Sequence, residues 1–373
     1  VEPASAPGRL RLHLDGDLDI EALREALAMV ARRQLMLRTR YVTAGGVPQQ
    51  DTTGSPSVAL EVVGLAAAPG RLDEAVHERV SRPFDLAAAP PARFTLFRLG
   101  PSRHALLRVW HHIMSDGLSS PILQRALSAA YAAAKSGRPP AWPDLPVDYA
   151  DYTLWQRREL EKPEARAALE ACVERLAGTP TLALPTDRVR PPAQSFRGAV
   201  VTRPFPAVVA QAMKRLGREQ GATPFMTFLA AYAALLFRLS GNEDFASGTP
   251  FGGRTRSEFA DLIGFFANTL VVRVDASGGP GFAGFLRRIR GAVLGAFEAQ
   301  DVPFERLGDG LGLARDPSRN PLFQVAFGMR ESDGTDLAFD GVTVRRDPSR
   351  HGRAKFALTL TLIDAPEGLT AHW

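Results

Sequence analysis

The sequence predicts an α/β fold in which two similar lobes follow one another along the chain. Three observations support this prediction. Each half begins with a strand and then a helix, at residues 10–15 and after Asp19 in the first half, and at residues 200–203 and 207–216 in the second. A stretch rich in Pro, Thr and Gly lies between the halves, which is typical of a linker. The length of 373 residues is enough for two hydrophobic cores.

The predicted domain organisation is an N-terminal lobe over residues 1–174, a linker over 175–198 and a C-terminal lobe over 199–373. The N-terminus has neither an initiator Met nor a basic region followed by an apolar one. We therefore expect the chain to be a segment of a longer protein, truncated at its ends.

Further elements follow from local patterns in order along the chain. Asp19 is a suitable N-cap for the first helix, and residues 37–42 and 105–109 are predicted strands. Helices are predicted at 119–135, from Tyr149 onward and at 224–239. The aromatic residues after Tyr149 recur at helical spacing, which predicts core packing. The last of these helices is too short to span a bilayer, so no membrane role is predicted.

Composition excludes several classes of function. Apolar residues make up 45% of the chain and charged residues 23%, as in a soluble globular protein. The net charge of +5 is compatible with acidic protein partners, but Lys and Arg are scattered and form no run of the kind that binds nucleic acid. Cys172 is the single cysteine, which rules out an internal disulfide and predicts a reducing, cytoplasmic location.

Residues 110–117 are the stretch best suited to acid–base chemistry. Their sequence, Trp-His-His-Ile-Met-Ser-Asp-Gly, follows a predicted strand and precedes a predicted helix. The free pKa of imidazole lies nearest neutrality, so His111 or His112 can exchange a proton at working pH. Because adjacent residues of a strand point to opposite faces, the two rings cannot readily ligate one metal ion. On the residues alone, catalysis and a buried structural histidine both remain open, and no metal site is predicted.

This stretch resembles the H-H-x-x-x-D-G motif of condensation domains of non-ribosomal peptide synthetases, with His111, His112, Asp116 and Gly117 at the motif positions. The shorter H-x-x-x-D core is shared with chloramphenicol acetyltransferase-like acyltransferases generally. Further stretches resemble motifs of the same condensation family, in the same order and over nearly the whole chain. They lie at residues 33–41, 82–86, 149–156, 248–254, 263–270, 300–305, 315–324 and 354–360.

The resemblance implies two chloramphenicol acetyltransferase-like lobes, each an α/β sandwich, arranged as a V-shaped pseudo-dimer with the active site in a tunnel between them. It implies that the acceptor's α-amine attacks the donor's thioester carbonyl and a peptide bond forms. Both substrates would be thioesters on phosphopantetheine arms of donor and acceptor peptidyl carrier proteins, with an adenylation domain next to this one in the same longer chain. It implies no cofactor or metal bound by the domain itself.

For the reacting group, the resemblance points to His112. Two roles remain open: His112 either removes the proton of the attacking amine, or holds the amine and stabilises the zwitterionic tetrahedral intermediate. His111 is expected to point away from the substrate and to be structural.

The other motif residues are expected to support the site. Asp116 is expected to anchor the loop by pairing with an arginine, with Arg254 as the first candidate and Arg38 as the second. Gly117 is expected to let the acceptor arm pass close to the backbone. Asn268 is expected to bridge the two lobes near the tunnel.

Several alternatives within the superfamily can be weighed from the sequence. The cyclising variant has D-x-x-x-x-D in place of the doubled His and is excluded, and the D-F-G-W-G motif of plant-type acyl-CoA transferases is not found. An epimerase relative differs from this chain at 301–304 and 318–321. Formation of an ester remains open, because an alcohol acceptor can use the same His.

A different class of function also remains open, namely a non-catalytic docking platform that recruits a tailoring enzyme to a carrier-bound peptide. Two departures from the family pattern favour it: Gln34-Leu35 stands where His-Glu is usual, and Ala299 stands where His is usual. The intact motif at His111 and His112 favours catalysis.

Overall fold

The structure is a computed structural model that describes residues 8–53, 58–88, 90–313, 316–332, 337–347 and 353–373. The N-terminal residues discussed above and Arg315 of the 315–324 motif lie outside these ranges.

The strands, in chain order, are β1 Gly8–Gly16, β2 Arg40–Ala44, β3 Val47–Asp51, β4 Leu60–Gly64, β5 Ala92–Arg98, β6 Arg103–Trp110, β7 Thr202–Pro204, β8 Asp244–Phe251, β9 Asn268–Asp275, β10 Val325–Glu331, β11 Val342–Arg346, β12 Leu358–Ala365 and β13 Gly368–His372. The helices are α1 Ile20–Arg33, α2 Leu72–Ser81, α3 Ser119–Ser136, α4 Tyr149–Glu159, α5 Pro163–Leu176, α6 Ala207–Glu219, α7 Pro224–Ser240, α8 Phe282–Glu298 and α9 Phe304–Gly310.

The chain divides into two compact units that are not continuous in sequence. The first contains Val1–Gln156, Arg254–Ala267 and Asp333–Ser349, and the second contains Arg157–Gly253, Asn268–Ser332 and Arg350–Trp373. The predicted lobes were continuous, at 1–174 and 199–373. Two segments of the second half pack into the core of the first unit. Residues 157–174, predicted in the first lobe, belong to the second unit, where Cys172 packs with Val271 and Phe323. Local patterns do not detect packing of this kind.

The first unit is built on a five-stranded sheet with the order β11-β1-β6-β5-β4. Adjacent strands of this sheet are antiparallel, except that β4 and β5 are parallel to each other. Helices α1 and α3 cover one face with the main core of this unit, and α2 covers the other face with a smaller cluster around Phe97 and Leu107. Strand β6 therefore lies in the middle of the sheet with both faces buried.

Local sequence accounts for these elements. The Asp19 carboxylate accepts a hydrogen bond from the Ala22 N–H at 2.9 Å and caps α1, as predicted. Strands β1 and β6 lie where the alternating and apolar patterns predicted them. The predicted strand at 37–42 is wrong in its first half, since Leu35–Leu37 forms a buried 3-10 turn and β2 begins only at Arg40. Three consecutive apolar residues are buried by this turn, and their pattern has no period that separates a turn from a strand.

The second unit is built on a six-stranded sheet with the order β7-β13-β12-β10-β8-β9. Strand β10 is parallel to both of its neighbours, and the outer pairs are antiparallel. Its core contains the buried faces of α7 and α8. Thr223 caps α7 and Gly241, at a φ of 71°, ends it.

The predicted linker at 175–198 is attached to the second unit by hydrogen bonds. The Leu182 N–H donates to the Gln324 side chain at 2.9 Å, and the Gln194 N–H donates to the Pro317 carbonyl at 2.8 Å. Proline-rich composition predicted the lack of regular structure here, but it does not show that the segment is tied down.

Within the described ranges, no single helix is long and apolar enough to cross a membrane. Helices α6 and α7 together reach the required length and composition, but they are bent by 109° relative to one another, and α7 contributes its buried face to the core of the second unit.

Candidate active site

The candidate site begins where β6 ends. The His111 N–H donates to the Pro91 carbonyl at 2.8 Å, which continues the pairing of β6 by one residue. The chain then leaves the sheet in a 3-10 turn over His112–Met114, with Met114, Ser115 and Asp116 buried. The two histidines are half-buried at the end of the central strand. The end of a buried central strand therefore places the backbone of both histidines.

The ring of His112 is held by a short hydrogen bond. Its Nδ1 lies 2.7 Å from the Ser115 carbonyl oxygen. A carbonyl only accepts, so Nδ1 must carry the proton, and in the neutral ring Nε2 is then the atom with a lone pair. The ring also stands edge-on to Phe265, with centroids 5.0 Å apart and planes at 89°. His112 is thus set up to accept a proton or a hydrogen bond at Nε2.

His111 has the opposite arrangement. Its Nδ1 accepts a hydrogen bond from the Ile113 N–H at 3.1 Å, so the proton of the neutral ring is on Nε2. Its ring is edge-on to the Phe84 ring, with centroids 6.1 Å apart. Burial, together with the neighbouring His112, lowers the pKa of His111 below its usual value. The ring nitrogen Nδ1 of His111 is thus used within its own turn, and the expectation that His111 is structural stays a prediction.

Asp116 is a buried carboxylate with both oxygens occupied. Oδ1 accepts from the Ser119 N–H at 2.9 Å and from the Ser119 hydroxyl at 2.8 Å. Oδ2 accepts from Arg254 at 2.5 Å and from the Phe266 N–H at 3.2 Å. The Asp116 N–H in turn donates to the Ser119 oxygen at 3.2 Å, so Asp116 and the first residue of α3 are joined by reciprocal hydrogen bonds. These bonds hold the loop in place.

Arg254, the first candidate partner of Asp116, is the arginine that pairs with it. The Arg254 side chain is 7% exposed and the Asp116 side chain 2%, so this is a buried ion pair. The guanidinium also donates to the Leu262 carbonyl at 3.0 Å. Its Cζ lies over the Phe266 ring, 4.3 Å from the ring centroid. Arg38, the second candidate, is placed elsewhere and donates to the Thr52 carbonyl at 3.3 Å.

Residues 262–266, most of which belong to the motif at 263–270, make contacts that the sequence did not predict. Every residue of this segment has a backbone group held by a side chain of the first unit. The Leu262 carbonyl accepts from Arg254, the Ile263 N–H donates to Gln34, the Gly264 carbonyl and N–H bond to the Ser119 hydroxyl, the Phe265 carbonyl accepts from the Tyr149 hydroxyl, and the Phe266 N–H donates to Asp116.

Two residues of this set had been interpreted differently. Gln34 was a departure from the family pattern, yet its buried amide also donates to the Asp261 carbonyl at 2.8 Å and so holds both sides of residue 262. Tyr149 was predicted as core packing, and its ring is buried, but its hydroxyl holds the Phe265 carbonyl at 2.7 Å. Only Ser119 had a local signal, the D-x-x-S spacing of a helix start.

The remaining two residues predicted for the site have different surroundings. Gly117 is exposed, and a Cβ added to it would meet no atom within 4 Å. Asn268 belongs to the second unit, where its amide donates to the carbonyls of Gln300 and Val302 at 2.9 and 2.7 Å and its oxygen accepts from the Phe304 N–H at 3.2 Å. Asn268 therefore orders the turn before α9, and the expectation that it bridges the two lobes stays a prediction.

Among the described residues, no group of three or more His, Cys, Asp and Glu side chains is placed to hold a metal ion. The expectation that the domain binds no metal or cofactor of its own stays a prediction.

Comparison with known proteins places the chain in a family. A family model described as the condensation domain matches residues 9–373. The chain is 39% identical over 380 residues to phosphinothricin tripeptide synthetase PhsC of Streptomyces viridochromogenes, covering 98% of this chain and 35% of that protein. It is 38% identical over 373 residues to the probable non-canonical nonribosomal peptide synthetase CymA of Salinispora arenicola, covering 97% of this chain but only 5% of that protein.

Solved structures agree in fold. The X-domain in its complex with OxyB from teicoplanin biosynthesis superposes with a TM-score of 0.89 at 28% identity, covering all of this chain and 85% of that one. The first condensation domain of the calcium-dependent antibiotic synthetase superposes with a TM-score of 0.75 at 22% identity, covering all of this chain and 86% of that one.

The fold and the comparisons therefore define a protein of the chloramphenicol acetyltransferase-like class, as the motifs predicted. Within that class, this chain belongs to the condensation domain family and is related to the domains of non-ribosomal peptide synthetases. The predicted family is therefore confirmed. Condensation domains of non-ribosomal peptide synthetases form peptide bonds by acyl transfer.

Proposed function

We propose that this chain joins a donor acyl or peptidyl thioester to the α-amine of an acceptor aminoacyl thioester, with both substrates on phosphopantetheine arms of carrier proteins. The observation that carries the proposal is the hydrogen bond between His112 Nδ1 and the Ser115 carbonyl, at 2.7 Å. It gives the neutral ring an acceptor at Nε2, and the reaction requires an acceptor for the proton of the attacking amine.

The reaction needs only modest help from the protein. A free α-amine has a pKa of about 8, so much of the acceptor begins as ammonium and must lose a proton. A thioester is already an activated acyl group. Holding the two reactants in line supplies up to about 7–11 kcal/mol in favourable cases. His112 either takes the amine proton at Nε2 or holds the amine by accepting its hydrogen bond while the tetrahedral intermediate forms.

Asp116 has a supporting role in this proposal. Both of its oxygens already accept hydrogen bonds, and Arg254 compensates its charge. A carboxylate so occupied has little capacity to act as an acid toward a substrate. We assign it the anchoring of the loop that carries His112. The exposed and unobstructed backbone at Gly117 is consistent with passage of the acceptor arm.

The proposal includes the partners named by the sequence. These are donor and acceptor peptidyl carrier proteins and an adjacent adenylation domain in a longer chain. The net charge of +5 suits carrier surfaces if these are acidic. No cofactor is bound by the domain itself, since the phosphopantetheine arms arrive with the carriers, and the location is cytoplasmic.

The test is an intact-mass assay with a loaded donor carrier and a loaded acceptor carrier. We expect peptide on the acceptor arm with this chain, and a loss of about 10²–10⁴-fold in rate for His112→Ala if the ring acts as a general base. The matched control is His111→Ala, which removes the neighbouring imidazole and should retain most of the product. Equal product from His112→Ala and the unchanged chain would show that positioning of the arms, without His112, supplies the rate.

A second candidate is the docking platform, which the likeness to the X-domain bound to OxyB favours. It predicts that the chain binds a carrier-bound peptide, gives no product with any acceptor, and raises the affinity of a tailoring enzyme for that peptide. An amino acceptor and a hydroxy acceptor tested side by side separate it from both catalytic alternatives, since product from the hydroxy acceptor alone identifies an ester-forming domain.

A further inference from the structure

The 262–266 segment is unusual because it holds one large apolar side chain in an exposed position. Leu262, Ile263, Gly264 and Phe266 are buried, whereas Phe265 is 39% exposed. Exposed single apolar residues are common on protein surfaces and need no explanation when their backbone is free to move. This one belongs to a segment in which every residue has a backbone N–H or carbonyl hydrogen-bonded to a side chain of the first unit.

The backbone of Phe265 is fixed from two directions. The Tyr149 hydroxyl donates to the Phe265 carbonyl at 2.7 Å. The ring of the same tyrosine occupies the space beside Gly264, where an added Cβ would lie 2.2 Å from Tyr149 Cδ2. On the other side, the Phe266 N–H donates to the Asp116 carboxylate. The backbone that carries the Phe265 ring is therefore held by the same buried network that anchors the loop of His112.

The exposed ring is placed against the imidazole of His112. Their centroids are 5.0 Å apart and their planes are nearly perpendicular, at 89°, which is a favourable aromatic geometry. The Ser115 carbonyl holds the ring at one point only, Nδ1, and a single hydrogen bond leaves tilting about it unrestricted. A contact with the flat side or edge of a second ring removes that freedom.

We propose that Phe265 is a positioning residue for His112: together with the Ser115 carbonyl it fixes the imidazole plane so that Nε2 has one direction toward the reacting amine. The inference rests on the condensation function proposed above. Phe265 acts through His112, and its contribution is to the fraction of time that the ring is correctly oriented. A nearby pair provides a control, because Phe84 contacts His111 edge-on at 6.1 Å in the same loop region.

The experiment compares Phe265→Leu, Phe265→Tyr and Phe84→Leu in the full chain. Selective ¹⁵N and ¹³C labelling of the seven histidines, with His112→Gln to assign the signals, reports the tautomer and the ring order of His112. For Phe265→Leu we expect a lower ring order parameter for His112, and a kcat about three- to tenfold lower with the KM for the acceptor within about twofold. Phe265→Tyr keeps the ring and should restore both, and Phe84→Leu should change neither at His112.

Several results would overturn the inference. One is an unchanged order parameter for His112 in Phe265→Leu, whatever happens to the rate. Another is a loss confined to KM, which would make Phe265 a wall for the substrate. A third is an equal loss in Phe84→Leu. The thermal midpoint of each variant shows whether a loss of rate comes from unfolding. If Phe265→Leu is unfolded under the assay conditions, the rate and the His112 ring order of Phe265→Tyr decide the inference. If the unchanged chain forms no peptide, the proposed function fails, while the ring measurement still tests the contact between Phe265 and His112.

Discussion

Asp116 and Asn268 solve the same structural problem in the two units of this chain. Each side chain binds backbone groups of a segment distant in sequence, Asp116 reaching residue 266 and Asn268 reaching residues 300–304. They differ in charge and surroundings. Asp116 is ionic, buried with Arg254 and four residues from His112, whereas Asn268 is neutral, half-buried and has no imidazole among its bonded partners. Each unit therefore has a side chain that anchors a distant segment, and the loop anchored through Asp116 is the one that carries His112.

The largest effect should come from removing the charge at Asp116. Asp116→Asn leaves the Arg254 guanidinium buried without a carboxylate, and breaking such a pair costs about 3–5 kcal/mol of unfolding free energy. Urea unfolding measures it. The matched control is Asp15→Asn, which breaks the more exposed pair with Arg345 and should cost at most about 1 kcal/mol. Similar losses in both variants would mean that the Asp116 pair is no more important than a surface pair.

The next effect should come from Gly264→Ala. The new methyl group would lie 2.2 Å from the Tyr149 ring, and overpacking of this kind costs about 1–3 kcal/mol. Because the segment must shift, we also expect slower condensation. Gly117→Ala is the control, since no atom lies within 4 Å of its Cβ and stability should not change. If Gly117 gives passage to the acceptor arm, that variant should still raise the acceptor KM, and an unchanged KM would contradict this role.

Asn268→Ala sharpens the comparison from the other unit. It leaves two carbonyls and the Phe304 N–H without their side-chain partner, which should cost about 1–2 kcal/mol. The rate of peptide formation per folded molecule should stay within about twofold of the unchanged chain, in contrast to Gly264→Ala. A large loss of rate at full folding, measured by the same mass assay, would instead support the bridging role that the sequence suggested.

The smallest effect should be a change in pH dependence at His111. Burial and His112 lower the pKa of His111 in the folded chain. At pH values between this lowered pKa and the unfolded pKa of about 6.5, the unfolded chain binds more protons than the folded one. Stability from this group is therefore complete above about pH 6.5 and is lost as the pH falls below it. His111→Gln should reduce the difference between the thermal midpoints at pH 7.5 and pH 5.5, and an unchanged difference would refute this assignment.

The sequence predicted those parts of the fold that have a local pattern. The alternation of β1, the cap and spacing of α1 and the apolar strand before the histidines each depend on neighbouring residues. The pairing of Arg254 with Asp116 joins residues 138 positions apart, and only the family motifs suggested it. Nothing in the sequence indicated that Gln34 and Tyr149 contact residues 262–266. The identity of a Gln or a Tyr does not show which backbone group its amide or hydroxyl binds. Such long-range hydrogen bonds require coordinates.

The first unit includes segments from the second half of the chain, and this has a consequence for recombination among related synthetases. A chimera joined between Gln156 and Arg157 would combine Asp116, Ser119 and Tyr149 from one parent with Arg254 and residues 262–266 from the other. Except for the bond from Arg254 to the Leu262 carbonyl, the hydrogen bonds that hold the 262–266 segment would then join side chains of one parent to backbone of the other. An exchange that transfers Val1–Gln156 together with Arg254–Ala267 keeps this inheritance intact, so the natural unit of transfer for this site is discontinuous in the gene.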